Sequence, residues 1–397
     1  MITVHSKALN KAISVARIIG KKIGHEPGPT VIFFGGIHGN ETSGVFALKA
    51  VFDTLKTVDL NGNAYAISGN LEALKKNERF IDVDLNRIWT NYNVHALEVK
   101  TNRNTEEQEQ LEIFNALKKI ITSHTGPFYF IDFHTTSSQT LPFITINDAL
   151  INRKFSTLFP VPVVLGIEEY LNGPLLSYIN ELGYVSLGFE SGQHDAVSSI
   201  ENHKAFAYLA LVHSGVLDRA QVNNFNTYNQ QLKQASNYQN KISEVVYLHK
   251  IKPQETFKME AGFQSFQAVK KGTVLAISNG QPVTAKRNAM LFMPLYQNIG
   301  DDGFFIIRTI KPFFLKLSTI LRRFKADNLL VLLPGISWED PRKNVLKVNL
   351  KVTKFLAKPI FHLLGFRNRR MDKTHLKLYN RERIAKKDMY KNEMWFN

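Results

Sequence analysis

Three side chains near the ends of two apolar segments are of the types that bind zinc. His38 and Glu41 lie three residues apart, between the apolar run 31–34 and a segment of helical period. His134 follows a second apolar run, 128–133. Two imidazoles and one carboxylate form the ligand set of catalytic zinc sites, which keep the fourth position for water. We therefore predict one zinc ion per chain at these three residues.

The absence of cysteine narrows the metal chemistry. With no Cys in the sequence, disulfides and thiolate metal sites are excluded, and only His and carboxylates remain as metal ligands. A histidine followed three residues later by glutamate is nevertheless a weak signal on its own. The pair could equally be a surface His38 beside a Glu41 that caps a helix, so its meaning depends on the other motifs.

Further polar side chains lie where they could assist a metal. Glu190 follows the apolar run 185–189, and a carboxylate there is placed to take a proton from zinc-bound water. The polar loop 79–87 contains Arg79, Asn86 and Arg87, and guanidinium groups suit carboxylates and developing oxyanions. The alternatives are a solvated Arg79 and, for Arg87, a surface ion pair with a neighbouring aspartate.

The elements around these residues alternate between strand and helix. Apolar runs with strand character cover 31–34, 63–68, 128–133 and 185–189, and helical patterns follow Thr42 and cover 106–123 and 196–216. This alternation predicts an α/β fold with a mostly parallel sheet and helices on both faces. The carboxyl ends of its strands would bring the chemical residues to one edge, where such sheets bind ligands.

The composition divides the chain into four parts. Residues 221–240 hold 11 Asn and Gln, so we predict a polar linker over 221–244. Residues 1–220 carry the predicted zinc ligands and Glu190, and we predict that they form the zinc hydrolase catalytic domain. Short strand-like runs broken by glycine turns predict a small β domain over 245–308. The remaining residues, 309–397, form a basic C-terminal extension.

Nearly all of the net charge belongs to that extension. Residues 308–397 hold 22 Lys and Arg against 7 Asp and Glu, a net charge of +15 out of +16 for the whole chain. Segments 312–325 and 355–367 mix apolar and basic residues at helical spacing, which is typical of helices on anionic membranes. The alternative is a helical hairpin packed on the catalytic domain. Nucleic acid is disfavoured because no recognised reading motif accompanies the charge.

No apolar run approaches the length of a membrane span, and residues 1–22 lack the apolar core of a signal peptide. We therefore expect a cytoplasmic protein, with peripheral membrane contact through the extension. The sequence does not indicate an oligomeric state.

Four motifs in order resemble those of the succinylglutamate desuccinylase/aspartoacylase family of the zinc carboxypeptidase superfamily. They cover residues 36–41, 84–87, 132–136 and 189–192, within a resemblance that extends from about residue 14 to residue 308. The resemblance implies that the three residues predicted above bind zinc and that Glu190 is the general base. It also implies that Arg79 polarises the scissile carbonyl and that Asn86 and Arg87 hold a substrate carboxylate.

The sequence departs from the family where substrate identity is decided. Aspartate-specific members have an arginine shortly before the catalytic glutamate, whereas this chain has Asn180 ten residues before Glu190. Tyr296 is a loose match to the substrate-binding tyrosine of the family's β domain. Residues 193–195 could line the site, or Asp195 could cap a helix.

Three functions are consistent with these observations. The first is a zinc-dependent hydrolase that cleaves the amide or ester bond of a small carboxylate-bearing substrate, such as an N-acyl amino acid, by Glu-activated zinc-bound water. The second is a zinc carboxypeptidase acting on peptides. The third is a non-catalytic binding platform that uses the basic tail. The resemblance implies that the β domain narrows the mouth of the site, which favours small substrates, and retention of Glu190 disfavours the platform.

Overall fold

The computed structural model describes residues 1–353, 358–370 and 375–396, which form a mixed α/β structure. The strands are β1 (Ile2–Ser6), β2 (Lys11–Val15), β3 (Ile18–Ile23), β4 (Thr30–Gly35), β5 (Asn63–Ser68), β6 (Phe128–Thr136), β7 (Phe143–Ile146), β8 (Val163–Leu165), β9 (Val185–Gln193), β10 (Ile242–Lys250), β11 (Phe257–Met259), β12 (Ala268–Val269), β13 (Val274–Ser278), β14 (Gln281–Thr284), β15 (Ala289–Phe292), β16 (Asp302–Thr309), β17 (Ile336–Trp338), β18 (Val345–Asn349), β19 (Phe366–Arg370) and β20 (His375–Asn380). The helices are α1 (Ser43–Leu55), α2 (Leu71–Lys76), α3 (Asn91–Val99), α4 (Thr105–Ser123), α5 (Leu150–Ser156), α6 (Leu175–Glu181), α7 (Val197–His213), α8 (Phe225–Ala235), α9 (Pro312–Arg323), α10 (Lys358–Leu363) and α11 (Arg381–Ile384).

A single large sheet organises the described part of the chain. Its strands lie in the order β12-β15-β16-β10-β8-β7-β9-β6-β4-β5-β3. The central strands β5, β4, β6 and β9 are parallel, as the alternating pattern predicts. The strands β3, β7, β16, β15 and β12 add antiparallel pairings, so the sheet is mixed rather than mostly parallel.

Both faces of the central strands are buried, which explains their continuous apolar runs. Successive side chains of a strand point to opposite faces. Phe33 therefore packs with α1 and α7 residues such as Leu48 and Phe206, whereas Phe34 packs with α4 and α6 residues such as Ile113 and Ile179. These two cores hold the strands in fixed positions. The carboxyl ends of the strands therefore form a rigid edge of the sheet, and the site lies at this edge.

The segment predicted as a linker is structured. Within residues 221–244, helix α8 packs on α7, with Tyr208 and Tyr228 stacked at 4.8 Å between ring centroids and Leu232 fully buried. Its Asn and Gln side chains lie mostly on the exposed side of an amphipathic helix. Polar composition alone could not distinguish such a helix from a linker.

The small β domain is continuous with the main sheet. Strand β10 pairs in parallel with β8 and antiparallel with β16, and β15 and β12 extend the sheet further. A second, three-stranded sheet of β11, β13 and β14 lies beside these strands, with Met259, Leu275 and Phe304 in a shared core. Because β10 and β16 belong to both units, the β domain is held in a fixed position over the edge of the catalytic sheet.

The basic extension also folds. Strands β17, β18, β20 and β19 form an antiparallel sheet in that order, with Leu346, Phe366 and Leu378 in its core. The helical segment 312–325 coincides with α9, and residues 358–363 of the second basic segment form α10. Residues 355–357, at the start of that second segment, and the preceding residue 354 lie outside the described residues. Among the residues that are described, no helix combines the length and apolar character needed to cross a membrane.

The end of the extension is anchored in the catalytic domain. Tyr390 is fully buried, and its hydroxyl donates to the carbonyl oxygen of Phe128 at 2.5 Å and accepts from the amide of Val185 at 2.9 Å. These two residues begin β6 and β9. Trp395 packs edge-on to Tyr129 and donates its indole N–H to the hydroxyl of Tyr129 at 3.1 Å. The extension is therefore part of the folded unit.

We predict that Tyr390→Phe destabilises the whole protein. The substitution keeps the ring but leaves the Phe128 carbonyl and the Val185 amide without their buried partner, which costs about 1–3 kcal/mol in the free energy of unfolding. Urea unfolding followed by circular dichroism measures this change. Tyr92→Phe, at a position on α3 that is 83% exposed, is the control. Equal stability of Tyr390→Phe and wild type would show that the extension is not anchored in this way.

Candidate active site

The loop between β4 and α1 presents His38 and Glu41 on one side. Gly36 has a φ of +75°, a conformation that favours glycine. At Gly39 a Cβ would lie 2.1 Å from the backbone of Ala73, so only glycine permits this close approach. The amide of Glu41 donates to the carbonyl of His38 at 3.1 Å, and this tight turn brings the two side chains together.

The carboxylate of Glu41 lies between two imidazoles. Its Oε1 is 2.8 Å from Nδ1 of His38, and its Oε2 is 3.1 Å from Nδ1 of His134. The amide of Thr135 donates to the same Oε2 at 2.9 Å. Strand β6 thus fixes the carboxylate from one side while the β4–α1 loop fixes it from the other.

The far nitrogen of each imidazole is held by a second carboxylate. Nε2 of His38 is 3.1 Å from Asp84, and Nε2 of His134 is 2.8 Å from Asp132. Asp132 and His134 share one face of β6, as the period of a strand predicts. Carboxylates in this outer position fix the tautomer of metal-binding histidines, because they accept the N–H that the metal does not replace. Both Nδ1 atoms are thereby directed to a common point.

The donor set fits a zinc ion. One ligand atom each from His38, Glu41 and His134 lies within 4.8 Å of the others, and all three residues are buried. Three converging N and O donors without thiolate are the protein part of a catalytic zinc site. The structure therefore brings together the three residues that the sequence predicts as metal ligands.

The protonation states suit cation binding. Burial opposes ionisation of Glu41, but the charges and hydrogen bonds of His38 and His134 outweigh burial and hold its pKa well below the ordinary value. For Asp84, burial is likewise outweighed by His38 and by Arg79, and its pKa is also well below normal. Burial alone would lower the pKa of His134, but Asp132 and Glu41 raise it well above normal. A metal must therefore displace a proton from this cluster.

Glu190 lies on the neighbouring strand. Strands β6 and β9 pair in parallel with His134 opposite Glu190. The Glu190 side chain is buried, and its Oε2 has no hydrogen-bond partner among the described residues. Burial raises the pKa of Glu190 to about 8, and the nearby Glu41 adds to this while His134 opposes it. A carboxyl group whose pKa lies near neutral pH, next to three possible metal ligands, is suited to accept and return a proton.

The loop residues predicted to contact substrate take different positions. Arg79 donates to Asp84 at 3.0 Å, with its other terminal nitrogen 3.7 Å from Glu41. Arg87 donates to Asp302 of β16 at 2.7 Å. Asn86 accepts the amide of Leu175 through its side-chain oxygen at 2.9 Å. All three line the same cleft as the triad, so they are near the site, although Arg87 already has a carboxylate partner.

The cleft is formed jointly by the catalytic sheet and the β domain, and it encloses at most about 1130 Å³, part of it open to solvent. Its β-domain wall consists of Met293, Pro294, Leu295, Gln297, Gly300, Asp301, Asp302 and Phe305. Tyr296 is not in this wall, since its hydroxyl donates to the carbonyl of Glu260 at 2.7 Å. Gln297 is in the wall instead and lies 3.4 Å from His194.

Of the residues 193–195, His194 lines the cleft and its Nδ1 is 2.7 Å from the Thr135 hydroxyl. Asp195 does not cap a helix: it has a positive φ of 50° and pairs with Lys7 at the surface, and α7 has no side-chain cap.

Sequence reasoning missed the contributions that depend on tertiary contact. The sequence indicates Asp84 only as a neighbouring aspartate that could pair with Arg87, whereas in the structure it orients His38. Asp302 gave no sequence signal, because it is 215 residues from its partner Arg87. Arg381 of the extension donates to Asn180 at 3.1 Å and lies 3.6 Å from Glu168, a cleft residue. Thus an arginine from the extension supports the cleft wall.

Comparison with known proteins agrees with this geometry. Residues 27–205 match the model of the "Succinylglutamate desuccinylase/Aspartoacylase catalytic domain", and these residues contain the triad, Glu190 and the 79–87 loop. Residues 27–205, less than half of the chain, are thus similar to the catalytic domain of the succinylglutamate desuccinylase/aspartoacylase family.

Individual relatives of the family are distant. A probable aspartoacylase of Acaryochloris marina is 30% identical over 168 residues, which is 39% of this chain and 52% of that protein. A succinylglutamate desuccinylase of Photorhabdus laumondii is 33% identical over 117 residues, 28% of this chain and 35% of that protein. The chain thus spans only about a third to a half of the length of these curated relatives.

Solved structures of the family share the fold. A succinylglutamate desuccinylase/aspartoacylase from Rhodobacter sphaeroides superposes with a TM-score of 0.55 at 16% identity, covering 72% of this chain and 87% of that one. A succinylglutamate desuccinylase from Vibrio cholerae gives 0.52 at 14% identity, covering 73% and 85%. The family catalytic model ends before α8, so it does not describe the β domain or the extension.

We predict that Glu190 makes the metal-free protein less stable as pH rises. The pKa of Glu190 in the folded protein, about 8, lies above its ordinary value of 4.5. The stability that the protonated group contributes is therefore fully present below pH 4.5 and is lost as the pH rises through about 8. Glu190→Gln should remove this loss, which amounts to at most about 1.4 kcal/mol per pH unit. Urea unfolding of chelator-treated proteins at several pH values measures it. Parallel pH profiles for wild type and variant would contradict the assignment.

Proposed function

We propose that the protein is a zinc-dependent hydrolase that cleaves the amide or ester bond of a small carboxylate-bearing substrate, such as an N-acyl amino acid. The observation that supports this most directly is the convergence of His38, Glu41 and His134 beside the buried Glu190, whose Oε2 has no hydrogen-bond partner among the described residues. The family match over residues 27–205 agrees with it.

Each residue has a distinct part in the proposed reaction. His38, Glu41 and His134 would hold one zinc ion, which when bound supplies a Lewis acid and lowers the pKa of water. Glu190 accepts the proton from the attacking water and delivers it to the leaving amine or alcohol. Arg79, fixed by Asp84 at the cleft, offers its guanidinium to the oxygen of the scissile carbonyl as negative charge develops.

The wall of the cleft favours small substrates over peptides. Strand β16 and the loop before it approach the loop of Arg87 closely enough to form an ion pair across the cleft. An extended peptide would need this side to be open, so we place carboxypeptidase activity second. A binding platform would have no use for a buried general base, and we place it third.

Recognition of a substrate carboxylate must involve competition at Arg87. Its guanidinium is largely buried and donates to Asp302 at 2.7 Å and to the carbonyl of Asn86 at 3.0 Å. Asp302 is held in turn by Lys250 at 3.1 Å. A substrate carboxylate that binds Arg87 would share or replace the contact with Asp302, and this makes Asp302 a determinant of substrate affinity.

We predict that turnover depends on zinc, and that zinc binding and proton transfer can be separated by substituting different residues. Elemental analysis should find one zinc per chain in the wild type, none in His134→Ala and one in Glu190→Gln. A panel of N-acylated amino acids should reveal turnover in the wild type, and Glu190→Gln should reduce kcat by at least about 10²-fold because proton transfer contributes about 10² to 10⁴.

Longer peptides serve as the discriminating substrates in the same assay. Activity on peptides with none on acyl amino acids would favour the carboxypeptidase, and no activity on either class would favour the platform. Zinc retained in full by His134→Ala would refute the proposed ligand set. The cytoplasmic location expected from the sequence stays a prediction that cell fractionation can test.

We predict that Asp302→Asn lowers KM for carboxylate-bearing substrates. The amide keeps the shape of the side chain but no longer neutralises Arg87, so the guanidinium becomes available to the substrate. Steady-state kinetics should show a several-fold lower KM, and the effect should vanish when the substrate carboxylate is amidated. Asp301→Asn is the control, since Asp301 lines the same wall but pairs with Lys250 and not with Arg87. An unchanged or higher KM in Asp302→Asn would mean that Arg87 does not bind the carboxylate.

A further inference from the structure

Helix α9 of the basic extension packs with its polar side inward. Its buried residues are Ser318 and Arg322. Three of its large apolar residues are exposed, Phe313 by 67%, Phe314 by 46% and Ile320 by 52%, and Phe324 follows at 82%. Its leucines Leu315, Leu317 and Leu321 are half-buried. We call Phe313, Phe314, Ile320 and Phe324 the outer apolar face. An ordinary surface helix turns its apolar stripe toward the core, so an exposed group of this kind needs an explanation.

The buried side is fixed by a network around Arg322, whose side chain is fully inaccessible. Its guanidinium donates to Asp148 of the catalytic domain at 2.7 Å and to the carbonyl of His362 at 2.7 Å. Ser318, one turn earlier, donates to the carbonyl of Leu363 at 2.8 Å. Leaving a buried guanidinium unpaired would be costly, so the rotation of α9 about its own axis is determined by these contacts.

The helical period then places the apolar residues on the opposite side. Nine residues separate Phe313 from Arg322, which is about two and a half turns, so the two side chains point in opposite directions. Ile320 and Phe324 are seven and eleven residues after Phe313, each close to a whole number of turns. The rings of Phe313 and Phe314 are in contact, with centroids 5.5 Å apart. The outer apolar face is therefore one continuous stripe.

Exposed apolar residues continue beyond the helix. In the 3₁₀ segment Ala326–Leu332, Leu329 is 63% exposed and Leu332 is 78% exposed. Residues three apart in a 3₁₀ helix lie on the same side. Leu330 of the same segment is buried in the core of the extension, so the segment is packed and does not expose its leucines by being unfolded.

Positive charge surrounds the stripe. Lys311, Lys316, Arg323 and Lys325 are exposed, and the sequence has no Asp or Glu between Lys311 and Ala326. None of the four cations forms an ion pair with a residue that the structure describes. Exposed aromatic residues flanked by unpaired Lys and Arg match the interface of an anionic bilayer, where rings enter the headgroup region and cations meet lipid charge.

We propose that the outer apolar face of α9 seats the protein on an anionic membrane surface, with the ring side chains inserted and the four cations at the headgroups. Apolar burial and charge then act together, as two signals are needed for stable interfacial attachment. This inference does not depend on the proposed hydrolase activity, because α9 lies outside the cleft.

Liposome sedimentation of the full-length protein tests the proposal. Phosphatidylcholine vesicles with phosphatidylserine should pellet the wild type at low salt, high salt should release much of it, and pure phosphatidylcholine should leave it in the supernatant. Phe313→Ser combined with Phe324→Ser should weaken partition at least about tenfold, since each ring loses its burial. Lys316→Glu combined with Arg323→Glu should abolish the preference for the anionic lipid.

The controls separate lipid binding from folding and from self-association. Tyr92→Ser changes an aromatic residue that is 83% exposed on α3 and should pellet like the wild type. Wild type that stays in the supernatant, or a serine variant that pellets fully, overturns the proposal. A dimer in light scattering that the serine variant converts to monomer, without vesicle binding by the wild type, would assign the face to a second copy of the chain and also overturn it. The full chain is used because Tyr390 makes the extension part of the fold.

Discussion

The position of one buried carboxylate determines the arrangement of the site. Glu41 accepts from Thr135 and lies between the Nδ1 atoms of His38 and His134. A carboxylate buried in this way is stable only when several donors or cations satisfy it. The tight turn at Gly39 and the close pairing of β4 with β6 are both needed to bring those partners within reach. The same positions direct the Nδ1 atoms of the two imidazoles toward a common point that could hold a metal ion.

The β domain completes the site because it shares the sheet with the catalytic domain. Strand β10 pairs with β8 on one side and with β16 on the other, so Asp302 at the start of β16 is held opposite Arg87. The ion pair that results is a structural link between the domains. In the proposed hydrolase it would also compete with a substrate carboxylate, so substrate affinity would be set jointly by a motif of the catalytic domain and by a residue far away in sequence.

Much of this site could be predicted from the sequence, because its residues follow buried strands whose apolar runs are easily recognised. His134 and Glu190 end neighbouring parallel strands, and His38 and Glu41 follow a third. The roles of Asp84 and Asp302 could not be predicted, since each depends on which loops meet across the cleft. The polar segment 221–244 was predicted as a linker because composition does not reveal that Leu232 packs into the core.

The extension shows a further limit of sequence patterns. The segment 312–325 has helical period in both its apolar and its basic residues, and this pattern alone fits either a helix on an anionic membrane or a hairpin packed on the catalytic domain. In the structure the outer apolar face is turned outward, because Arg322 is paired with Asp148 and Ser318 bonds to a backbone carbonyl. A buried charge with a distant partner thus decides the orientation of the helix, and such a partner cannot be read from local periodicity.

We propose that His38, Glu41 and His134 form a zinc site at the carboxyl edge of the sheet. Anomalous diffraction at the zinc absorption edge, from crystals of the zinc-loaded protein, measures the position of the ion. We expect a single strong peak at about 2.0–2.2 Å from the Nδ1 atoms of the two histidines and from a Glu41 oxygen. A peak that is bound by the Nε2 atoms, that lacks one of these three residues, or that lies elsewhere in the chain would contradict the proposed zinc site.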